Sequence, residues 1–205
     1  MHFKNINTIA KEIDNTYHST NIVERLTKYV IQSEKFNECS GSSHPDLHHY
    51  GCGQLRNHTE EVVNSCLCIR DLYKYHYDID ETELFLAALY HDYGKIYDYE
   101  KIEVDADSPF VSSYKDGKYF GWSSTKHKKQ IYHISRSVIL WIQALNDVQA
   151  PKYFREKYED AIIHDILSHH GLKEWGSPVQ PQTKVAWILH LCDSISARLY
   201  DGGQK

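Results

Sequence analysis

Leu84-Phe85-Leu86-Ala87-Ala88-Leu89-Tyr90-His91-Asp92-Tyr93-Gly94-Lys95 reads as an apolar, buried helix that ends by delivering an imidazole and a carboxylate side by side. A neutral imidazole and an ionised carboxylate are ligands for a divalent metal, and a buried carboxylate without a partner is costly. The stretch therefore predicts a metal site. Adjacent helical residues point about 100° apart, so His91 and Asp92 can hold only part of one ion, and further ligands must come from other segments.

Upstream, Asp80 with Glu83 makes a capping-box-like start for this helix. Before it, a long helix after Gly53 carries His58, Val62, Val63, Leu67 and Ile69 and stops near Tyr77. Residues 33–50 read as a polar loop, and its continuation Asp46-Leu47-His48-His49-Tyr50-Gly51-Cys52-Gly53 resembles the lip of a site. Two short packing helices precede it, from Ile6 to Ile13 and from Ile22 to Val30, the second with Ser19 or Thr20 as N-cap.

Downstream, helical periodicity is lost between Tyr97 and Trp122, where Asp116-Gly117 between aromatic flanks predicts a small β-hairpin. It returns with Ile131, Ile134, Val138, Ile139, Ile142 and Leu145, preceded by Lys126, Lys128 and Lys129. A further helix runs from Pro151 to His169 with Gly171 as its stop. The last starts at Pro181, carries Val185, Ile188, Leu189, Cys192 and Ile195, and frays at Asp201-Gly202-Gly203. The architecture expected is an all-α bundle with a hairpin insertion. Residues 1–45 would form a helical appendage packed on a single unit spanning 46–205.

Composition narrows the function. A chain of 205 residues holds one domain with a sizeable core. No apolar run approaches the roughly 18 residues of a membrane span, and residues 1–20 carry no signal-peptide pattern. Five cysteines without paired Cys-x-x-Cys motifs predict reduced thiols in a cytoplasmic protein. A net charge of −5 and a pI near 6.3 argue against a surface that coats long nucleic acid. The 14 histidines are far more than a chain of this length usually carries, and imidazole is the commonest transition-metal ligand.

His58, His91-Asp92, His133, His169-His170 and Asp193 all sit on apolar helical stretches, where a ring or a charge needs a partner. Singly, each is ordinary; their joint order carries the signal. The pattern H…HD…H…HH…D resembles the HD-domain metal-dependent phosphohydrolase superfamily. Within it the chain is most similar to the catalytic domain of YhaM-type 3′-to-5′ exoribonucleases. The resemblance lies in His48-His49 ahead of His58, then His91 to Lys95, His133-Ile134, Leu167 to Gly171, Glu174 to Val179, and Ile188 to Asp193. It covers residues 46–199. Two departures stand out: Gly53-Gln54-Leu55-Arg56-Asn57-His58 replaces the family's Gly-Gly-Leu-Leu-Glu-His, and no OB-type nucleic-acid-binding domain precedes residue 46.

The resemblance implies an HD-domain helical bundle in which His58, His91, Asp92 and Asp193 hold one divalent metal and His133, His169 and His170 a second, with Asp92 bridging. So many imidazoles favour Mn²⁺, Fe²⁺, Co²⁺ or Zn²⁺ over Mg²⁺. It implies a phosphodiesterase or 3′-5′ exonuclease on short RNA, DNA, or small oligo- or cyclic nucleotides. A mononuclear mono- or triphosphate phosphohydrolase and a di-iron oxygenase are the alternatives.

Asp92, Lys95 and His49 are the catalytic candidates, Lys95 as a mobile charge reaching a phosphate and His49 as a proton donor or substrate-orienting ring. His48, Arg56, Lys126, Lys129 and Trp175 are the substrate-binding candidates. Arg56 can equally be a salt-bridged surface residue, the lysines a solvated helix start, and Trp122 and Trp175 either stacking platforms or buried under loops. His2, His18, His44, His76, His127, His164 and His190 lack motif support and read as structural or exposed, His190 lying on the Asp193 helix near that ligand. A homo-oligomer and a separate nucleic-acid-binding partner are both compatible with the sequence.

Overall fold

A computed structural model describes residues 3–202, with side chains through Leu199; His2 and Gly203 fall outside it. Its spine is helix α5 (Glu81–Tyr90), in which Leu84 through Tyr90 are all buried. An apolar helix buried on every face must lie at the centre of a bundle. Helix α4 (Gln54–Tyr73), helix α9 (Lys152–Ser168), helix α10 (Lys184–Gly202) and helix α2 (Ile22–Ile31) all pack against it. The Asp80 side chain accepts from Glu83 N at 3.0 Å and starts α5, as the sequence predicts.

The N-terminal helices α1 (Ile6–Tyr17) and α2 share one continuous buried cluster with α4, α5, helix α8 (His133–Asp147), α9 and α10. Residues 33–50 are not wholly a loop, because Glu34–Glu38 forms a short helix, α3, capped by Ser33. Neither Ser19 nor Thr20 caps α2. Asn21 stands at its N-cap without a side-chain bond, and buried Asp14 of α1 accepts from Val23 N at 3.0 Å and Glu24 N at 2.8 Å. A long-range carboxylate thus takes over the usual local capping role.

The predicted hairpin is part of a three-stranded sheet. Strand β2 (Ser113–Lys115) and strand β3 (Lys118–Ser124) flank Asp116 and Gly117, both at positive φ as the tight turn requires. Strand β1 (Tyr99–Val104) adds to the other side of β3, from Tyr99 opposite Ser124 to Val104 opposite Tyr119, giving the order β1-β3-β2. Two short helices tie the sheet to the bundle: α6 (Lys95–Asp98) before β1 and α7 (Lys126–Gln130) after β3. The last helix begins at Lys184, later than Pro181, and the Thr183 hydroxyl accepts from Ala186 N at 3.0 Å. No helix among the described residues is long and apolar enough to cross a membrane.

Asp165 of α9 is fully buried near Glu83 of α5; burial first, and the Glu83 charge second, raise its carboxyl to about 8. An acid with a raised folded pKa contributes stability that is full below its unfolded pKa near 4 and is lost as pH rises through about 8. Asp165→Asn removes the ionisation. The melting temperature of the variant should exceed that of the wild type by a margin that grows from pH 5 to pH 9; a margin independent of pH would exclude this assignment.

Candidate metal centre

The centre lies where α5 ends. His91 caps α5, Asp92 follows, and Gly94 lets α6 come against α8: a Cβ on Gly94 would lie 2.2 Å from His133 O and 2.8 Å from Ser137 N. Gly94 N–H donates to Ser137 Oγ at 2.8 Å. The Gly94 of the opening stretch is therefore a close-approach glycine, and it delivers α8, with His133 at its start, to Asp92.

Among the described residues three groups of side chains bring ligand atoms within 4.8 Å of one another: His58, His91, Asp92 and Asp193; His133, His169 and His170; and His48, His49 and His58, which shares His58 with the first and does not include Asp92. Asp92 stands between the first two. Its Oδ2 lies 3.3 Å from His58 Nε2 and 3.4 Å from His91 Nε2, whereas its Oδ1 lies 3.3 Å from His133 Nε2 and 3.7 Å from His169 Nε2. Asp193 Oδ1 completes the first group, 3.1 Å from His58 Nε2 and 3.7 Å from His91 Nε2.

The hydrogen bonds on the far side of each ring fix its tautomer. Because a carbonyl only accepts, the Nδ1–H of His91, His169 and His170 must donate to Ala88 O, Ile166 O and Trp175 O, at 2.8, 2.7 and 2.9 Å. His133 Nδ1–H donates to buried Asp98 Oδ2 at 3.2 Å. Ser196 Oγ spends its proton on Glu61 Oε2 at 2.8 Å, so it accepts from His58 Nδ1–H at 3.1 Å. His91, His133, His169 and His170 thus turn a bare Nε2 toward the centre, and His58 Nε2 faces Asp92 and Asp193. Asp92 Oδ1, His133 Nε2 and His169 Nε2 are buried without a hydrogen-bond partner. Lone pairs facing lone pairs in a buried pocket need cations between them, and the donor set fits divalent transition metals.

Charge agrees with this reading. Burial would raise the Asp92 carboxyl, but the Lys95 ammonium and His91 hold it well below the usual range. Asp193 is lowered likewise, its burial outweighed by His58. Burial lowers His133 to about 4 and His170 to about 3, so both rings are neutral ligands near pH 7. His58 goes the other way: burial disfavours its imidazolium, yet Asp193 and Asp92 push it up to about 9. A metal at that position displaces this proton, so its affinity weakens as pH falls.

A model of the HD domain family matches residues 55–198. The chain belongs to the HD domain family. This HD domain is 28% identical over 180 residues to the 3′-5′ exoribonuclease YhaM of Bacillus subtilis (strain 168). It is 27% identical to the proteins of that name from Bacillus velezensis and Bacillus licheniformis. Each alignment covers 86% of this chain and 49% of the relative, so the chain spans about half the length of these curated relatives. No solved structure matches it.

The other predicted site residues scatter. Lys95 is not a mobile charge: it is 7% exposed, and its Nζ lies 2.6 Å from Asp92 Oδ2, which locks that carboxylate. His49 is buried, with its Nε2 3.1 Å from Glu61 Oε2 and its Nδ1 3.1 Å from that of half-buried His48. Both rings lie against His58, at 4.8 and 5.6 Å.

Arg56 is not brought to the centre. It pairs with Glu60 at 3.0 Å and Asn37 at 3.2 Å, lining a cleft with Lys11, Lys28 and Gln32, because it lies two positions, about 200° of helix turn, from His58. Lys126 and Lys129 are exposed on α7. Trp122 is buried, whereas Trp175 is 57% exposed with its ring 6.0 Å from His190.

His190 proves structural, its Nδ1–H donating to His169 O at 2.9 Å. Its ring fills the space beside Gly171, where a Cβ would come within 2.4 Å. Asp98, Glu61 and Ser196 are orienting residues that the sequence reading missed. So is His127, whose Nδ1–H donates to Asp98 Oδ1 at 2.7 Å. Only Glu61 left a signal, three residues after His58 on the same helical face.

Proposed function

We propose that this HD domain is a metal-dependent phosphodiesterase that hydrolyses nucleotide phosphoester bonds, acting 3′-to-5′ on short RNA or DNA or on small oligo- or cyclic nucleotides, with two divalent metals per chain. The observation that carries the proposal is the division of Asp92, one oxygen to each ligand group. Divalent cations held by these residues would lower the pKa of an attacking water and neutralise charge on the phosphoryl group. Five imidazoles against two carboxylates favour Mn²⁺, Fe²⁺, Co²⁺ or Zn²⁺ over Mg²⁺.

The chain's own residues do the remaining work. Asp92 spans both groups and Lys95 holds it ionised. Half-buried His48, backed by buried His49 and lying beside His58, orients substrate at one side of the mouth; half-buried His170 marks the other. The names of the Bacillus relatives support a nucleic-acid substrate. Exposed Trp175 would serve as a stacking surface and exposed Lys126 and Lys129 would meet a backbone.

Anaerobic metal analysis followed by a substrate panel tests the proposal. About two metals per chain are expected, with oxygen-independent hydrolysis of bis-p-nitrophenyl phosphate and of at least one of short RNA, short DNA or a cyclic nucleotide by the Mn²⁺-loaded protein. An intact panel would sink the reading, and a single metal per chain would point to the mononuclear mode.

A further inference from the structure

Tyr132 stands between α7 and α8 with φ at +69°. Its own N–H and that of Ile131 both donate to His127 O, at 3.1 and 2.9 Å. With ψ at 150° it lies outside the left-handed helical well, in a region of backbone space that glycine ordinarily takes. Such strain is held where the side chain is used. Among the described residues the other non-glycine positions with positive φ are His49, at the same centre, and the turn residues Asp116 and Gln149.

The side chain of Tyr132 leans over the second ligand group. Its ring centroid is 4.2 Å from that of His133 and 6.2 Å from that of His170, and Gly176 leaves room beside it, a Cβ there coming 3.8 Å from the ring. The charged groups facing its phenol are Lys95, Asp92, Asp98 and Asp193. No described residue bonds the hydroxyl, and it is not among the buried unpartnered atoms, so solvent reaches it. Lys95 is committed to Asp92 and Arg56 to Glu60, so neither is free to meet an anion at this side of the mouth.

We propose that Tyr132 is a substrate-contacting residue whose phenol O–H donates a hydrogen bond to a phosphoryl oxygen held at the His133, His169 and His170 group. A neutral phenol is a donor that meets an anionic oxygen without adding charge to a pocket already crowded with cations. This role rests on the phosphoester reading above for its substrate, but its test does not need turnover.

The test compares Tyr132→Phe and Tyr132→Gly with the wild type, all loaded with Mn²⁺, for inorganic phosphate affinity by calorimetry, for metal content, for melting temperature without metal, and for kcat/KM on bis-p-nitrophenyl phosphate. Removing a hydrogen bond to a charged acceptor should weaken phosphate binding by about 10-fold or more in Tyr132→Phe, with metal content unchanged. Tyr132→Gly, which relieves the strained φ but removes the ring as well as the hydroxyl, should lose at least the same affinity. A merely structural ring would be rescued by phenylalanine. If Tyr132→Phe binds phosphate as the wild type does, or if the wild type takes up no phosphate at millimolar concentrations, the proposed contact is wrong. If phosphate binding weakens as expected while the wild type cleaves nothing in the substrate panel, the phosphoester reading fails and the phosphoryl contact stands.

Discussion

Asp92→Ala should release the metals, reduce hydrolysis by at least about 1000-fold, and destabilise the metal-free protein as well. The first two effects follow from the carboxylate's position: both oxygens are engaged, one toward His58 and His91 and the other toward His133 and His169, so no single group can be completed without it. The third follows from Lys95. Its ammonium is 7% exposed and its ion pair is with Asp92 at 2.6 Å, so truncating the carboxylate strands a buried cation. Breaking such a pair costs about 3–5 kcal/mol, a fall of roughly 10 °C for a chain of this size.

The double variant Asp92→Ala with Lys95→Met separates the effects, because it removes the stranded charge but not the need for a bridge. It should recover most of the melting temperature and none of the metal or activity. Elemental analysis and thermal unfolding of the three proteins check this. Two metals retained in the single variant would show that Asp92 is not shared.

The contrast between Asp92 and Asp98 shows what was legible in the sequence. Residues 84–92 announce themselves because an unbroken apolar run long enough for a helix has one place in a bundle, its centre, and ligands at its end inherit that burial. His58, His133, His169 and Asp193 were readable for the same reason, each interrupting an apolar helical stripe. Lys95 was misread because a lysine after a helix end is ordinarily solvated; its burial depends on α6 folding back under α8, which Gly94 permits but does not advertise.

β1 alternates polar and apolar residues only from Lys101 to Val104, and its partners lie far along the chain, from Val104 opposite Tyr119 to Tyr99 opposite Ser124, so no local turn signals the pairing. The Asp14 cap on α2 is likewise a tertiary contact. Asp98 sits in a four-residue helix with no stripe to interrupt, so nothing distinguishes it from a surface carboxylate until α8 is placed.

Asp98→Asn should nonetheless cripple the second ligand group while sparing the first. The buried Asp98 carboxylate accepts three hydrogen bonds: from His127 Nδ1–H at 2.7 Å on Oδ1, and from His133 N–H at 3.0 Å and His133 Nδ1–H at 3.2 Å on Oδ2. An asparagine offers one acceptor and one NH₂ in that space. If its oxygen stays with His133, the NH₂ meets the His127 donor. If it turns, the NH₂ meets two donors of His133, and the imidazole relieves the clash by moving its proton from Nδ1 to Nε2, the atom that would hold a metal.

Either outcome weakens the hold on the ring, and loss of an orienting partner of a ligating histidine typically costs 10- to 100-fold in metal affinity or activity. His58 and His91 have separate orienting partners, Ser196 and Ala88 O, so the first group should bind as before. A metal titration should therefore keep its tight phase and shift its second phase by about 10- to 100-fold, with activity following the second phase. Glu61→Gln, acting behind Ser196 and His58, should do the reverse. If both variants weaken both phases equally, the two groups do not have independent supports, and the carboxylates behind the rings serve only the stability of the fold.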